Sequence, residues 1–131
     1  LFVVEASSFR LGHSSLFAPV VAAWLNFEAD HLDVHSSLDA YESAKARIWQ
    51  NLVGDDIAVA NSDDAVVMSN LPSKAAVTTF GSSGDAHVQD HQIVVGDTQV
   101  MPVAELHRAL PHDITNALAA SAVALGPSTP P

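Results

Sequence analysis

From Val20 to Phe27 the sequence is almost unbroken apolar residues, VVAAWLNF, and it then stops abruptly in Glu28, Asp30, His31, Asp33 and His35. Strands buried on both faces of a parallel sheet read as continuous apolar runs rather than as alternating ones. In such sheets ligands sit just beyond the carboxyl ends of the strands. A dense set of carboxylates and imidazoles at that edge is therefore a candidate metal or phosphate site. A second apolar run, Leu1 to Val4, closes on Glu5 in the same way. If the two strands are parallel, Glu5 and the Asp30–His31 pair meet on one rim.

The remaining pattern alternates strands and helices at short intervals, which indicates an α/β fold around a parallel sheet. Ser7 to Leu16 reads as a polar, partly helical return. Ser36 or Ser37 can cap a helix reaching about Leu52, with Asp39 in the first turn favoured by the helix dipole. Its apolar positions Leu38, Tyr41, Ile48 and Leu52 recur at helical spacing. Ile57 to Ala60 is a short strand, and Asn61 or Ser62 caps a brief helix from Asp63 to Met68. Ala75 to Phe80 is another strand, followed by a turn at Gly81 to Gly84. Val88 to Val95 and Thr98 to Val103 flank Gly96-Asp97, a pair suited to a tight antiparallel hairpin. Pro111 starts a last helix with the stripe Ile114, Leu118, Ala122 and Leu125, stopped by Gly126 and Pro127.

Composition narrows the function classes. Fifteen acids against five basic residues give a net charge of −10, which argues against binding nucleic acid. There is no cysteine, so disulfides and thiolate zinc sites are excluded, in keeping with a cytoplasmic protein. No apolar run has the length of a membrane span. The chain opens on Leu1 inside an apolar run and ends in Pro127-Ser128-Thr129-Pro130-Pro131, so it reads as an excerpt of a longer protein with a proline-rich tail.

Four groups of residues could carry chemistry. Glu5 alone would be a solvated strand end, but the Ser7 and Ser8 hydroxyls stand beside it. Asp30 and His31, with Asp33 and His35 close behind, are denser than a loop requires; Asp30 could orient the imidazole of His31. His35 itself reads as a loop or capping residue. Lys45 shares its helix face with Tyr41, Ile48 and Leu52, where an unpaired ammonium is costly. Either the side chain snorkels out past Tyr41, or desolvation favours the neutral amine, which can add CO₂ to give a carbamate. His112, Asp113 and Asn116 open the last helix, where an N-cap and a polar face would explain them locally. Asn61-Ser62-Asp63-Asp64 is explained by helix capping.

Taken together, Val3-Val4-Glu5-Ala6-Ser7-Ser8-Phe9-Arg10-Leu11, Leu25-Asn26 with Asp30-His31-Leu32-Asp33, and Tyr41-Glu42-Ser43-Ala44-Lys45 resemble the ATP-binding central domain of the Mur ligases. The match of order and spacing covers roughly residues 1 to 125. The resemblance implies the later part of a P-loop-type ATPase domain over residues 1–126, a parallel α/β sheet carrying a small antiparallel hairpin. It implies ATP and Mg²⁺ as cofactors, with Glu5 on one magnesium and His31 with carbamylated Lys45 on a second, Lys45 and His31 being the catalytic pair. Carboxylate oxygen suits that ion. His112, Asp113 and Asn116 would contact adenine and ribose; Asp113 replaces the usual Asn, and a carboxylate can accept from the adenine amino group but not donate. Ser7 and Arg10 would face the nucleotide-sugar substrate, Arg10 standing where Gln is usual.

The implied reaction is peptidoglycan precursor synthesis, in which D-glutamate is joined to UDP-N-acetylmuramoyl-L-alanine through an acyl phosphate. Phe9 favours that acceptor over a diamino acid, whose ligase usually has His there. A monomer without membrane insertion is expected. The phosphate loop G-x-x-G-K-[ST] does not occur here; in the family it precedes the position of Glu5, and the acceptor-binding C-terminal domain follows. Alternatives are another Mur ligase, a folylpolyglutamate synthase, a metal-dependent phosphohydrolase built on Asp30, His31, Asp33 and His35, or a non-catalytic acidic module.

Overall fold

Strand β2 (Gly54–Asn61) is the axis of the sheet, because its side chains supply cores on both faces. Successive strand residues point to opposite sides, so Val59 enters one core and Ala58 and Ala60 enter the other. The computed structural model describes residues 2–28 and 35–126.

Strand β1 (Val21–Trp24) pairs with β2 in parallel, Val21 opposite Ile57 and Trp24 opposite Ala60. Strand β3 (Ala75–Phe80) continues the parallel set on the other side of β2. Then β4 (Ala86–Gln89), β5 (Gln92–Val95) and β6 (Thr98–Pro102) follow, β4 and β5 antiparallel and β5 and β6 antiparallel. The spatial order is β1-β2-β3-β4-β5-β6, identical to the chain order.

Helix α1 (Ser8–His13) precedes β1, and α2 (Leu38–Ala46) lies between β1 and β2, extended by a 3-10 turn over Arg47–Trp49. A short α3 (Ala65–Ser69) links β2 to β3. Trp24, Trp49, Leu52 and Val67 fill the core beneath these helices. Full burial of such side chains contributes about 1.5–3 kcal/mol each. Trp49 also donates its indole N–H to the Ala22 carbonyl at 2.9 Å, which fixes the helix end to β1. The opposite face is covered by α4 (Pro111–Leu125), whose Leu118, Ala119 and Ala122 pack on Val59, Phe80, Ile93 and Val95. Pro111 stands at the start of that helix, where its missing N–H costs nothing.

The α/β architecture, the parallel strands, the β5–β6 hairpin and the α4 boundaries agree with the sequence reading. Four details differ. Phe2 and Val3 are each 94 % exposed and residues 2–7 form no strand. A strand requires a backbone neighbour, and among the described residues β1 pairs only with β2. The expected single strand Val88 to Val95 is two strands, because Asp90 and His91 both take left-handed conformations, φ 48° and 61°, and reverse the chain. The antiparallel part is thus a three-stranded meander. The helix expected to run to Leu52 leaves the α conformation after Ala46. Finally, α3 is capped not by Asn61 or Ser62 but by Asp64, because β2 runs on to Asn61.

Gly96 and Gly84 are required by geometry, each for a different reason. Gly96, φ 55°, opens the β5–β6 turn, where a positive φ at the first central position suits the twist of the strands. Gly84 lies against the Phe80 backbone, and a Cβ there would stand 2.6 Å from the Phe80 Cα. The same loop is tied by Asp85, which accepts from the Thr79 backbone N–H at 2.7 Å and its hydroxyl at 2.8 Å.

Candidate active site

The chain leaving β1 is held at its carboxyl end by side chains from three other elements. Asn61, the last residue of β2, donates its amide to the Leu25 carbonyl at 2.8 Å. Asp64 accepts from the Phe27 backbone N–H at 2.6 Å while its other oxygen caps α3 through Val66 and Val67, each at 3.0 Å. Asp63 accepts from the Ser82 backbone N–H at 2.8 Å and from the Ser82 hydroxyl. The segment from Asn61 to Asp64 is therefore capping machinery, as the sequence suggested, and also a clasp joining the ends of β1, β2 and β3.

Lys45 reaches the same edge from α2. Its ammonium lies 5.4 Å from the centre of the Tyr41 ring and donates to the Asn26 carbonyl at 3.4 Å. That carbonyl also accepts from the Trp24 indole at 2.9 Å. Lys45 is half-buried, so its stem lies on the apolar stripe and its head emerges past Tyr41, the snorkelling arrangement. Beside it a cavity of about 150 Å³ opens between Leu11, Trp24, Leu25 and Asn26.

Tyr41 is buried and stacks on Phe27 at 5.1 Å between ring centres. His35 touches the Tyr41 ring, also at 5.1 Å, and its Nε2 shares a hydrogen bond of 2.9 Å with the buried Ser8 hydroxyl. Nothing in the local sequence points to this contact, because the two residues are 27 positions apart.

The N-terminal segment brings Ser7, Glu5 and Arg10 to the surface. Ser7 caps α1, accepting from the Arg10 backbone N–H at 3.3 Å. Asp30, His31 and Asp33 lie outside the described residues. Among the described residues no three histidine or carboxylate side chains gather as a metal ion needs. A lysine ammonium only donates, so Glu5 and Lys45 do not by themselves make a magnesium site.

His112, Asp113 and Asn116 sit at the start of α4, on the face of the sheet opposite α2. Asp113 Oδ1 pairs with Arg108 at 3.2 Å and lies 3.4 Å from His112 Nε2. Asp113 Oδ2 is buried without a hydrogen-bond partner among the described residues. A buried acceptor left unpaired is costly, and it fits a ligand that offers an N–H, such as an amino group. Arg108 was not singled out from the sequence; its position five residues before Asp113, ahead of the helix, gave no periodic signal. The two groups of candidates thus form separate patches, and only a ligand reaching around the carboxyl edge of the strands could touch both.

Residues 1–124 match the family model for the Mur ligase middle domain. The UDP-N-acetylmuramoylalanine–D-glutamate ligase of Exiguobacterium sibiricum is 41 % identical over 123 residues, covering 92 % of this chain and 27 % of that protein. The ligase of the same name from Geobacillus kaustophilus is 37 % identical, covering 93 % of this chain and 28 % of that protein. The chain therefore spans little more than a quarter of the length of these relatives. A solved structure of a UDP-N-acetylmuramoyl-L-alanyl-D-glutamate–2,6-diaminopimelate ligase aligns with a TM-score of 0.66 at 26 % identity, over 88 % of this chain and 27 % of the other. MurF from Acinetobacter baumannii, 24 % identical with a TM-score of 0.66 over 82 % of this chain and 25 % of its own, shares the fold. With its parallel strands closing on a lysine-bearing edge and its first 124 residues matching throughout, this chain belongs to the Mur ligase family, as its middle domain.

Proposed function

We propose that this chain is the ATP-binding part of a ligase that joins D-glutamate to UDP-N-acetylmuramoyl-L-alanine in peptidoglycan precursor synthesis. Two relatives carrying that name at 41 % and 37 % identity support the acceptor. The observation that carries the mechanism is Lys45, held between the Tyr41 ring and the Asn26 carbonyl at the mouth of a cavity.

ATP, when bound, supplies the phosphoryl group that turns the substrate carboxylate into an acyl phosphate, which the D-glutamate amine then attacks. Asp113 Oδ2, His112 and Asn116 are the residues that would hold the base, Oδ2 being free to accept from its amino group, and Arg108 keeps the carboxylate aimed. Ser7, which caps α1, and Arg10 within it are exposed and would face the nucleotide-sugar. Glu5, His31 and carbamylated Lys45 are the residues that would hold magnesium, which when bound neutralises the phosphate charge. Carbamylation adds CO₂ to the neutral amine with loss of one proton, replacing a donor by an anion with two acceptor oxygens.

The test is Lys45→Ala in the ligase that contains this chain, assayed for phosphate release with ATP, UDP-N-acetylmuramoyl-L-alanine and D-glutamate. Turnover should fall at least about a hundredfold, the scale of losing one charge-stabilising group, and acetate or formate should restore part of it. Unchanged turnover would remove Lys45 from the mechanism. Equal turnover with a diamino acid in place of D-glutamate would overturn the acceptor assignment.

A further inference from the structure

The described contacts near Lys45 form a continuous path from a different helix. Ser8, in the first turn of α1, is buried, and its hydroxyl meets His35 Nε2 at 2.9 Å. His35 rests against the Tyr41 ring at 5.1 Å and 40°. Tyr41 is held on a further side by Phe27, stacked at 5.1 Å, and it lies 5.4 Å from the Lys45 ammonium. A cation within about 6 Å of an aromatic centre is attracted by the ring, so where the ring stands determines where the amine stands. Among the described residues the Lys45 amine has one hydrogen bond, to the Asn26 carbonyl at 3.4 Å, a long contact beside which the ring is its main guide.

We propose that Ser8 and His35 are positioning residues for the Lys45 amine, acting through Tyr41. The hydroxyl fixes the imidazole, the imidazole supports the phenol ring, and the ring sets the reach of the lysine. This arrangement also ties α1, which follows Glu5 and Ser7, to the helix that carries Lys45, so both sides of the candidate site share one support. Packing alone would be served by any apolar side chain at position 35. A ring nitrogen paired with a buried hydroxyl instead gives a directional contact, which locks the plane of the ring. The functional importance of the device rests on the ligase reading of Lys45; its existence does not.

The experiment measures how fast an amine-acetylating reagent labels Lys45 relative to the exposed Lys74, by peptide mass spectrometry. It uses the ligase that contains this chain, in carbonate-free buffer without nucleotide or metal. In Ser8→Ala and His35→Ala the Lys45:Lys74 ratio should rise about three- to fivefold, the scale of one lost cation–π contact. Ser8→Thr, which keeps the hydroxyl, should retain the parent ratio. The Ser8→Ala change removes a single oxygen and guards against misfolding of the larger truncation, with unfolding curves run alongside. A parent-like ratio in Ser8→Ala and His35→Ala overturns the proposal, whatever their turnover. Full activity of Lys45→Ala would sink the ligase role of that lysine and still leave the labelling ratio to decide the positioning.

Discussion

Replacing Asp64 by alanine removes three hydrogen bonds with one substitution. Two are cap bonds to Val66 and Val67, each 3.0 Å, and one goes to the Phe27 N–H at 2.6 Å. Loss of a side-chain N-cap costs about 0.5–2 kcal/mol. A partly buried N–H stripped of a charged acceptor adds about 1.5–3 kcal/mol. The sum, roughly 2–5 kcal/mol, is a large fraction of the stability of a domain of this size. Asp64→Asn separates the two contributions: its amide oxygen can keep the cap, while the NH₂ group turned toward Phe27 cannot accept. That variant should lose about 1–3 kcal/mol, less than the alanine change. Urea unfolding followed through the buried Trp24 and Trp49, with exchange of the Phe27 amide as a local readout, measures both. Asp64→Ala within about 0.5 kcal/mol of the parent, the range of an ordinary surface change, would refute the reasoning. So would an Asn variant as unstable as the Ala variant.

Gly84→Ala should destabilise by about 3 kcal/mol or more, because its Cβ would stand 2.6 Å from the Phe80 backbone and no side-chain movement relieves that; thermal unfolding checks it. Asp113→Ala should raise the KM for ATP roughly tenfold, one lost hydrogen bond to a buried charged acceptor, with little change in kcat. Arg108→Ala, at a residue 62 % exposed, should leave stability within about 0.5 kcal/mol.

The legibility of the fold follows from which forces are local. The run of β1 was readable because a strand packed on both faces needs no alternation, and α4 because Pro111 and its apolar stripe agree. Asp90-His91 was not readable as a turn, since neither residue favours the left-handed region as Asn-Gly does; the demands of the meander override the local preference. Leu1 to Val4 has a strand composition, yet pairing is a property of two segments, and the described residues offer it no neighbour. At the site, Lys45 stood out because an ammonium on an apolar helix face is costly, and Glu5 because it closes an apolar run beside two hydroxyls, whereas Asp113 stood out only through the family resemblance. The Ser8–His35 contact did not, because only the packing of α1 against α2 creates it. Asp64 was hidden by its own neighbours: Asn61, Ser62 and Asp63 are equally good caps, and the length of β2 decided among them.

A sheet whose neighbours in space are its neighbours in sequence never requires a late strand to be wedged between two earlier ones. Each new strand finds its template already in place, as a growing chain would present it. The turns joining β4, β5 and β6 are short, which lowers the entropic barrier to assembling the meander. Among the described residues the cost falls on the two ends of the order, β1 and β6, each of which has one partner however completely the strands between them have formed.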